Sequence, residues 1–307
     1  MLRRLIPQRL YRAAQRRRAL MRDIAAGPLH RGSALAATLR YLRLQRVRGT
    51  GTYPMVPYVG GAVLAWPAGA SSVDMQAKYG LGEPYDMGFS LHLLRPDDLF
   101  CDVGANAGVY TVLASKAVGA RSVSFEPVPR TFSLLMQNVW ANDLGALVDA
   151  RQCGVGREPG ALHFTSDLWS FNHVAERDAA GAVEVPVVTL DQALDGRVPR
   201  LIKIDVEGFE GEVVAGARRT LSDPSCAAVI MELVTAVQRY GATREGIAGE
   251  MRALDFTPCW YDPFTRTFSD PGERARFRYN QIFVRDFDFV KSRVAQAPTY
   301  RVRGLDL

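Results

Sequence analysis

The apolar positions of this chain keep two different periods. Between about residues 97 and 234, short unbroken apolar runs alternate with stretches whose apolar residues recur every three to four positions. The runs "LFCDV" (99–103), "SVSFE" (122–126), "ALVDARQC" (146–153), "VPRLIKIDVEG" (198–208) and "AAVIMELV" (227–234) read as strands. "GVYTVLASKAVG" (108–119), "PRTFSLLMQNVWAND" (129–143) and "FEGEVVAGARRTLSD" (209–223) read as helices; a glycine stops the first and Pro129 opens the second. Strand and helix in regular succession imply right-handed crossovers and a parallel, doubly wound α/β sheet. "FTPCWYD" and "NQIFVRD" have only a polar loop between them, which predicts an antiparallel pair closing the sheet.

The first 95 residues follow another pattern. Leu2, Leu5, Ile6, Leu10, Ala13, Ala14, Leu20, Met21 and Ile24 fall three to four apart among arginines, and "SALAATLRYLRLQRV" (33–47) repeats that spacing. Residues 1–50 are thus a basic helical arm. It holds thirteen arginines and one acid, Asp23, a net +12 that leaves −6 for residues 51–307 of a chain at +6. Such a helix can lie on an anionic membrane surface or pack on its own domain. No apolar stretch is long enough for a secretory leader or a membrane span. "GTGTYPMVPYVGGAVLAWPAGASS" (49–72) reads as a short hairpin or extended approach, so residues 51–95 form a lead-in, 96–290 the main domain and 291–307 a tail.

Cys101, Cys153, Cys226 and Cys259 lie far apart in apolar runs, with neither zinc-site nor disulfide spacing, and fit buried thiols in a reducing, cytoplasmic compartment. The acidic main domain offers no groove for nucleic acid.

In an open sheet of this kind, ligands bind over the carboxyl ends of the strands beside the first one. There "LFCDVGANAG" places Asp102 at a strand end and Gly104, Asn106 and Gly108 in the turn that starts a helix. Glu126, 22 residues beyond Gly104, ends the next strand, where an acid can accept both hydroxyls of a ribose. A pyrophosphate needs the G-x-G-x-x-G spacing and a bare helix N-terminus. An acid before the turn instead repels phosphate and attracts a sulfonium or amine, which points to S-adenosylmethionine rather than a dinucleotide.

"FCDVGANAGVYTVLASK", "VSFEPVPRTFSLLMQNVWAND", "VPVVTLDQAL" and "LIKIDVEGFEGEVVAGARRTL", in that order across roughly residues 95–235, resemble consecutive blocks of the FkbM-type S-adenosylmethionine-dependent methyltransferases. The resemblance implies the class I methyltransferase fold, a Rossmann-like doubly wound seven-stranded sheet with an antiparallel last strand. It also implies O-methylation of a small-molecule hydroxyl, on a saccharide or other secondary metabolite. By position, Asp102, Gly104, Ala105, Asn106 and Gly108 would hold the methionine end of the cofactor, Glu126 the ribose, and Cys153 would line the adenine. Asn138 and Asn142 resemble family positions but suit helix ends as well. Thr189 and Gln192 have capping-box spacing and read as scaffold.

Asp205 and Glu207 emerge at the carboxyl end of the fourth strand, next to the expected sulfonium, and Glu232 ends the fifth. These acids can bind an acceptor hydroxyl, take its proton, or hold a divalent metal. Magnesium suits Asp205 with Glu232, but metal-free chemistry is the reading adopted. His173 is a further candidate base on a loop, flanked by Trp169 and Phe171 as candidate walls for a sugar. Two other classes compete: a nucleic-acid or protein methyltransferase using the arginine arm, and a non-catalytic binding protein of the same fold.

Overall fold

A computed structural model describes residues 8–30, 33–48, 53–166, 172–175, 181–270 and 280–307. Trp169 and Phe171 lie outside the described residues.

Helices α1 (Gln8–Ala26) and α2 (Ala34–Arg48) pack against each other, α2 packs on the helix Ser71–Tyr79, and that helix in turn touches a hairpin of β1 (Met55–Pro57) and β2 (Val63–Ala65). Ile24, Ala37 and Tyr41 face inward, while Leu35, Leu39 and Val47 stay exposed. The Tyr41 ring lies 5.4 Å from that of the fully buried Trp66, and its hydroxyl donates to Asp74 at 2.8 Å. Asp74 belongs to α3 (Ser71–Tyr79), which is followed by α4 (Pro84–Leu93).

The central sheet follows: β3 (Leu99–Val103), α5 (Val109–Val112), β4 (Arg121–Phe125), α6 (Pro129–Ala141) and β5 (Val148–Arg151). The expected helix 108–119 is α-helical only at its start and continues as a π-helical stretch, Leu113–Val118. A small second sheet comes next, built from β6 (Gly154–Val155), β7 (Gly160–Phe164), β8 (Val174–Ala175) and β9 (Val183–Val188) in the order β6-β9-β7-β8. Thr189 then caps α7 (Leu190–Leu194), its side chain accepting from the Gln192 amide.

The chain returns to the central sheet with β10 (Leu201–Ile204), α8 (Glu210–Ala215), α9 (Arg218–Ser222), β11 (Ala228–Glu232), α10 (Arg244–Ala253), β12 (Thr257–Asp262), β13 (Thr267–Ser269) and β14 (Asn280–Val284). The single helix expected over 209–223 is broken at Gly216. That residue lies against the Gly156 carbonyl, where a Cβ would sit 2.0 Å from the oxygen. Helix α11 (Phe287–Ala295) and the terminal hairpin of β15 (Arg301–Val302) and β16 (Leu305–Asp306) complete the fold.

The sheet order is β13-β12-β14-β11-β10-β3-β4-β5. From β11 to β5 neighbours are parallel, and β14 runs antiparallel between β11 and β12. The sheet therefore has eight strands where seven were expected. The chain after β12 turns back on itself, so Thr267–Ser269 pairs with Trp260–Asp262 as an extra edge strand.

Two asparagines fasten the lead-in to this frame. Asn138 accepts from the Ala65 amide and donates to the Ala107 carbonyl, both at 2.7 Å, and Asn142 exchanges two bonds of 2.8 Å with Val63. Their role is to staple β2 onto α6 and the β3 turn. All four cysteines are buried and free. Among the described residues no helix is long and apolar enough to cross a membrane.

Candidate active site

A cavity of about 360 Å3 opens over the carboxyl ends of β3, β4, β10 and β11. This is where side chains leaving adjacent parallel strands converge while helices turn away on either face. A larger cleft of about 490 Å3 lies at the other end of the strands, around Asp97, Arg121 and Arg197. Its charges are mostly paired with one another, as Arg200 with Asp98 and Arg197 with Asp149, and the smaller cavity is the candidate active site.

One wall of that cavity is the turn after β3. Gly104 has φ +82 and lies so close to the Asp205 carbonyl that a Cβ would sit 1.8 Å from the oxygen; only glycine lets the two strand ends meet. Asn106 also takes a left-handed conformation, φ 51, which asparagine tolerates because its short amide can bond locally. Its Oδ1 accepts from the Ala107 amide and from Ser72 Oγ of α3, both at 2.8 Å. Glu126, 5 % exposed, accepts from the amides of Asn106 (2.8 Å) and Val128 (3.0 Å) and from Thr131 Oγ1 (2.6 Å). Burial raises its pKa, and these three donors oppose the rise. Asp102 is buried at 1 %, accepts from Thr111 Oγ1 at 2.6 Å, and is raised by burial against the pull of Lys203.

The opposite wall is acidic. Lys203 stands beside Asp102 across the β10–β3 pairing and donates to Asp205 Oδ2 at 2.6 Å, with its ammonium 4.8 Å from the Tyr110 ring centroid. Burial alone would lower its pKa, but Asp205, Glu83 and Asp102 outweigh that and hold it above its ordinary value. One carboxylate oxygen each from Asp205, Glu207 and Glu232 lie within 4.8 Å of one another. Burial, then the Asp205 and Glu210 charges, push Glu207 up to about 7. Burial with Asp205 and Glu207 pushes Glu232 up to about 9, and its Oε2 is shielded without a hydrogen-bond partner among the described residues.

The turn after β10 is held by Glu210, fully buried, whose Oε1 accepts from the amides of Val206 and Gly208. Because Glu210 does that work, Glu207, at φ 54, is free of any capping duty and lines the cavity.

In all, six acids (Glu83, Asp102, Glu126, Asp205, Glu207 and Glu232) and one lysine line the cavity. That balance favours a cationic ligand and disfavours a polyphosphate. The three clustered carboxylates are also a donor set suited to a divalent cation, although the Lys203 ammonium already supplies a positive charge to Asp205.

Residues 102–254 match the methyltransferase FkbM domain. The chain belongs to the FkbM methyltransferase family. It is 31% identical over 149 residues to "Methyltransferase 1" of Beauveria bassiana, covering 39% of this chain and 59% of that one. It is 28% identical over 151 residues to the hexuronic acid methyltransferase AglP of Haloferax volcanii, covering 48% and 61%. The third relative, the 31-O-demethyl-FK506 methyltransferase FkbM of Streptomyces tacrolimicus, is 30% identical over 159 residues, covering 40% and 60%. The chain thus spans about three fifths of the length of these curated relatives. Among solved structures it is similar to methyltransferase FkbM of Methylobacillus flagellatus, at 15% identity and a TM-score of 0.43, covering 81% of this chain and 60% of that one. The sheet order, with β14 reversed between β11 and β12, is that of the class I methyltransferase fold.

Of the residues that the FkbM resemblance assigns to the cofactor, Asp102, Gly104, Ala105, Asn106 and Glu126 line the cavity. Gly108 does not. It starts α5 at φ 76 and lies under Leu135, where a Cβ would be 2.3 Å from Cδ1. Asp102 faces the buried Lys203 as well as the cavity. Cys153 lines a narrow adjoining slot with Phe125, Phe164 and Phe209.

Asp205, Glu207 and Glu232 come together as expected. His173 does not join them: it pairs with Thr165 in the small sheet, through both backbone groups and the Thr165 hydroxyl, while its neighbour Asn172 reaches the cavity.

Sequence reasoning missed the wall supplied by the lead-in: Ser72, Gln76 and Glu83 line the cavity. Glu83 accepts from the Tyr110 hydroxyl at 2.7 Å and from Asn280 at 3.0 Å. No motif marks these residues. Lys203 could have been found, since period two puts it on the Asp205 face of an otherwise apolar strand.

Proposed function

We propose that the chain is an S-adenosylmethionine-dependent O-methyltransferase that acts on a hydroxyl of a saccharide or other secondary metabolite. The observation that carries this reading is the cavity's division into a hydrogen-bonded wall around Glu126 and a proton-holding wall at Glu207 and Glu232. The acidic lining suits a sulfonium, and the Gly104–Asn106 turn, Glu126 and the slot beside Cys153 would hold the methionine end, the ribose and the adenine. When bound, the cofactor supplies an electrophilic methyl group.

An alcohol has a pKa of about 16, so its proton must leave as its oxygen gains the methyl group. Glu207, with a pKa of about 7, stands ready to accept that proton at neutral pH. Glu232, raised to about 9, stays protonated there and donates a hydrogen bond to the acceptor oxygen. Lys203 keeps Asp205 fixed, so the acceptor meets a rigid edge. The names of two relatives, one for a hexuronic acid and one for 31-O-demethyl-FK506, support a polyhydroxylated acceptor of either kind.

Calorimetric titration with S-adenosylmethionine and with its demethylated product tests the reading. Both should bind, and Glu126→Gln, which keeps the shape but removes one acceptor oxygen, should weaken both. Absence of binding by either compound sinks the proposal.

A further inference from the structure

A further cavity, of about 270 Å3, lies away from the candidate active site, between α2, the turn after α3 and the terminal hairpin. Arg40, Arg301 and Arg303 line it, together with Tyr58, Val59 and Gly80; no acid does. The Arg40 Nε and Nη2 are both shielded from solvent and bond nothing among the described residues. Arg303 sits at the hairpin turn in a left-handed conformation, φ 55, unusual for a long side chain. Its Nη2 donates to the Gln76 carbonyl at 3.2 Å, and its stem lies against Gly80, where a Cβ would be 2.6 Å from its Cγ.

The charges here are uncompensated. Neither Arg40 nor Arg303 forms a salt bridge among the described residues, and burial lowers both, Arg303 to about 10 with Arg40 adding to the shift. His30, buried beside them, is held below its ordinary value by burial and by both guanidinium groups, with its Nδ1 unpartnered among the described residues. Guanidinium groups partly withdrawn from water with no anion are costly, and a backbone strained to place one of them adds to the cost. Such an arrangement persists where a ligand supplies the missing charge. An anion with several acceptor oxygens matches two or three guanidinium forks, and the volume is just under the roughly 300 Å3 at which whole small-molecule sites begin.

We infer that Arg40, Arg301 and Arg303 form a binding site for a phosphoryl group, separate from the reaction cavity. The group comes either from a free phosphate compound or from the headgroup of an anionic lipid, since the exposed Leu35 and Leu39 lie on the same helix as Arg40.

Thermal unfolding of the full chain, with inorganic phosphate or with chloride at equal ionic strength, is the first arm of the test. Flotation with phosphatidic acid or phosphatidylcholine vesicles is the second. Wild type should gain several degrees in millimolar phosphate over chloride, or float with phosphatidic acid vesicles alone. Arg40→Met and Arg303→Met should each lose that response while matching or exceeding wild-type stability in chloride, because each removes a buried like charge. A phosphate effect without flotation assigns the site to a free compound, and flotation without it assigns the site to a headgroup. No response in either arm, or a response that survives in both variants, overturns the inference.

Discussion

Glu126, just past β4, and Glu232, at the end of β11, are carboxylates facing one cavity and largely out of water. Glu126 accepts three hydrogen bonds, whereas Glu232 leaves a shielded oxygen with none among the described residues. Burial raises both, but only Glu232 is raised further by two acids close enough to share a metal or a proton with it. Two ends of neighbouring structure thus handle the same functional group in opposite ways. Donors hold the first as an acceptor; burial, with repulsion from neighbouring acids, favours a proton on the second and on Glu207. A reaction that binds a nucleoside and deprotonates an alcohol needs one of each.

The largest effect should come from the proton-storing side. Glu207→Gln cannot accept a proton, so turnover should fall by about 10²–10⁴-fold, the usual worth of a general base, while titration calorimetry shows cofactor affinity unchanged. With Glu207 as the base, the active form is the deprotonated one, so kcat should rise with pH through about 7, and the variant should lose that limb. An unchanged rate would assign the base elsewhere and erase the distinction between the two walls.

Glu126→Ala probes the other wall. It strands the Asn106 and Val128 amides without their acceptor and leaves the Thr131 hydroxyl only the Val128 carbonyl, and should destabilise the fold by about 1–3 kcal/mol in urea unfolding. A neutral effect would mean that water replaces the carboxylate without loss, and that Glu126 is no more fixed than Glu232.

The parts of this contrast that could be read in the sequence are those carried by strand period and chain order. Alternation put Asp205 at the carboxyl end of β10, and the strand–helix succession brought Glu126 and Glu232 to the same edge, because parallel crossovers return every strand end to one side. The edge strand β13 was not legible, since Thr267–Ser269 is a short pairing inside a polar loop. Nor was the wall formed by Ser72, Gln76 and Glu83, which depends on how the Asn138 and Asn142 side chains dock the hairpin before it. Asn106 was singled out for departing from a glycine pattern. Its structural reason is local: its amide side chain supports a left-handed turn and bonds Ser72. His173 was drawn by residue type alone, and backbone pairing with Thr165 decides its place.

The effect that separates the two walls by sign is that of Glu232→Gln on stability. The folded-state pKa of Glu232 lies above its ordinary value, so between about 4.5 and about 9 the native chain holds a proton that the unfolded chain has released. Its contribution to stability is therefore full below about 4.5 and is lost as pH rises to about 9. Glutamine is neutral throughout and escapes that loss. The variant should melt a few degrees above wild type in alkaline buffer and level with it in acid, with the gap opening across the same range. Glu126→Ala, by contrast, should melt below wild type. A Glu232→Gln variant that melts lower in alkaline buffer would show that this carboxylate, like Glu126, is stabilised as an anion, whether by the Lys203 ammonium or by a bound divalent cation; the chelator EDTA would tell these apart, because only a cation-dependent protein would lose stability on its addition.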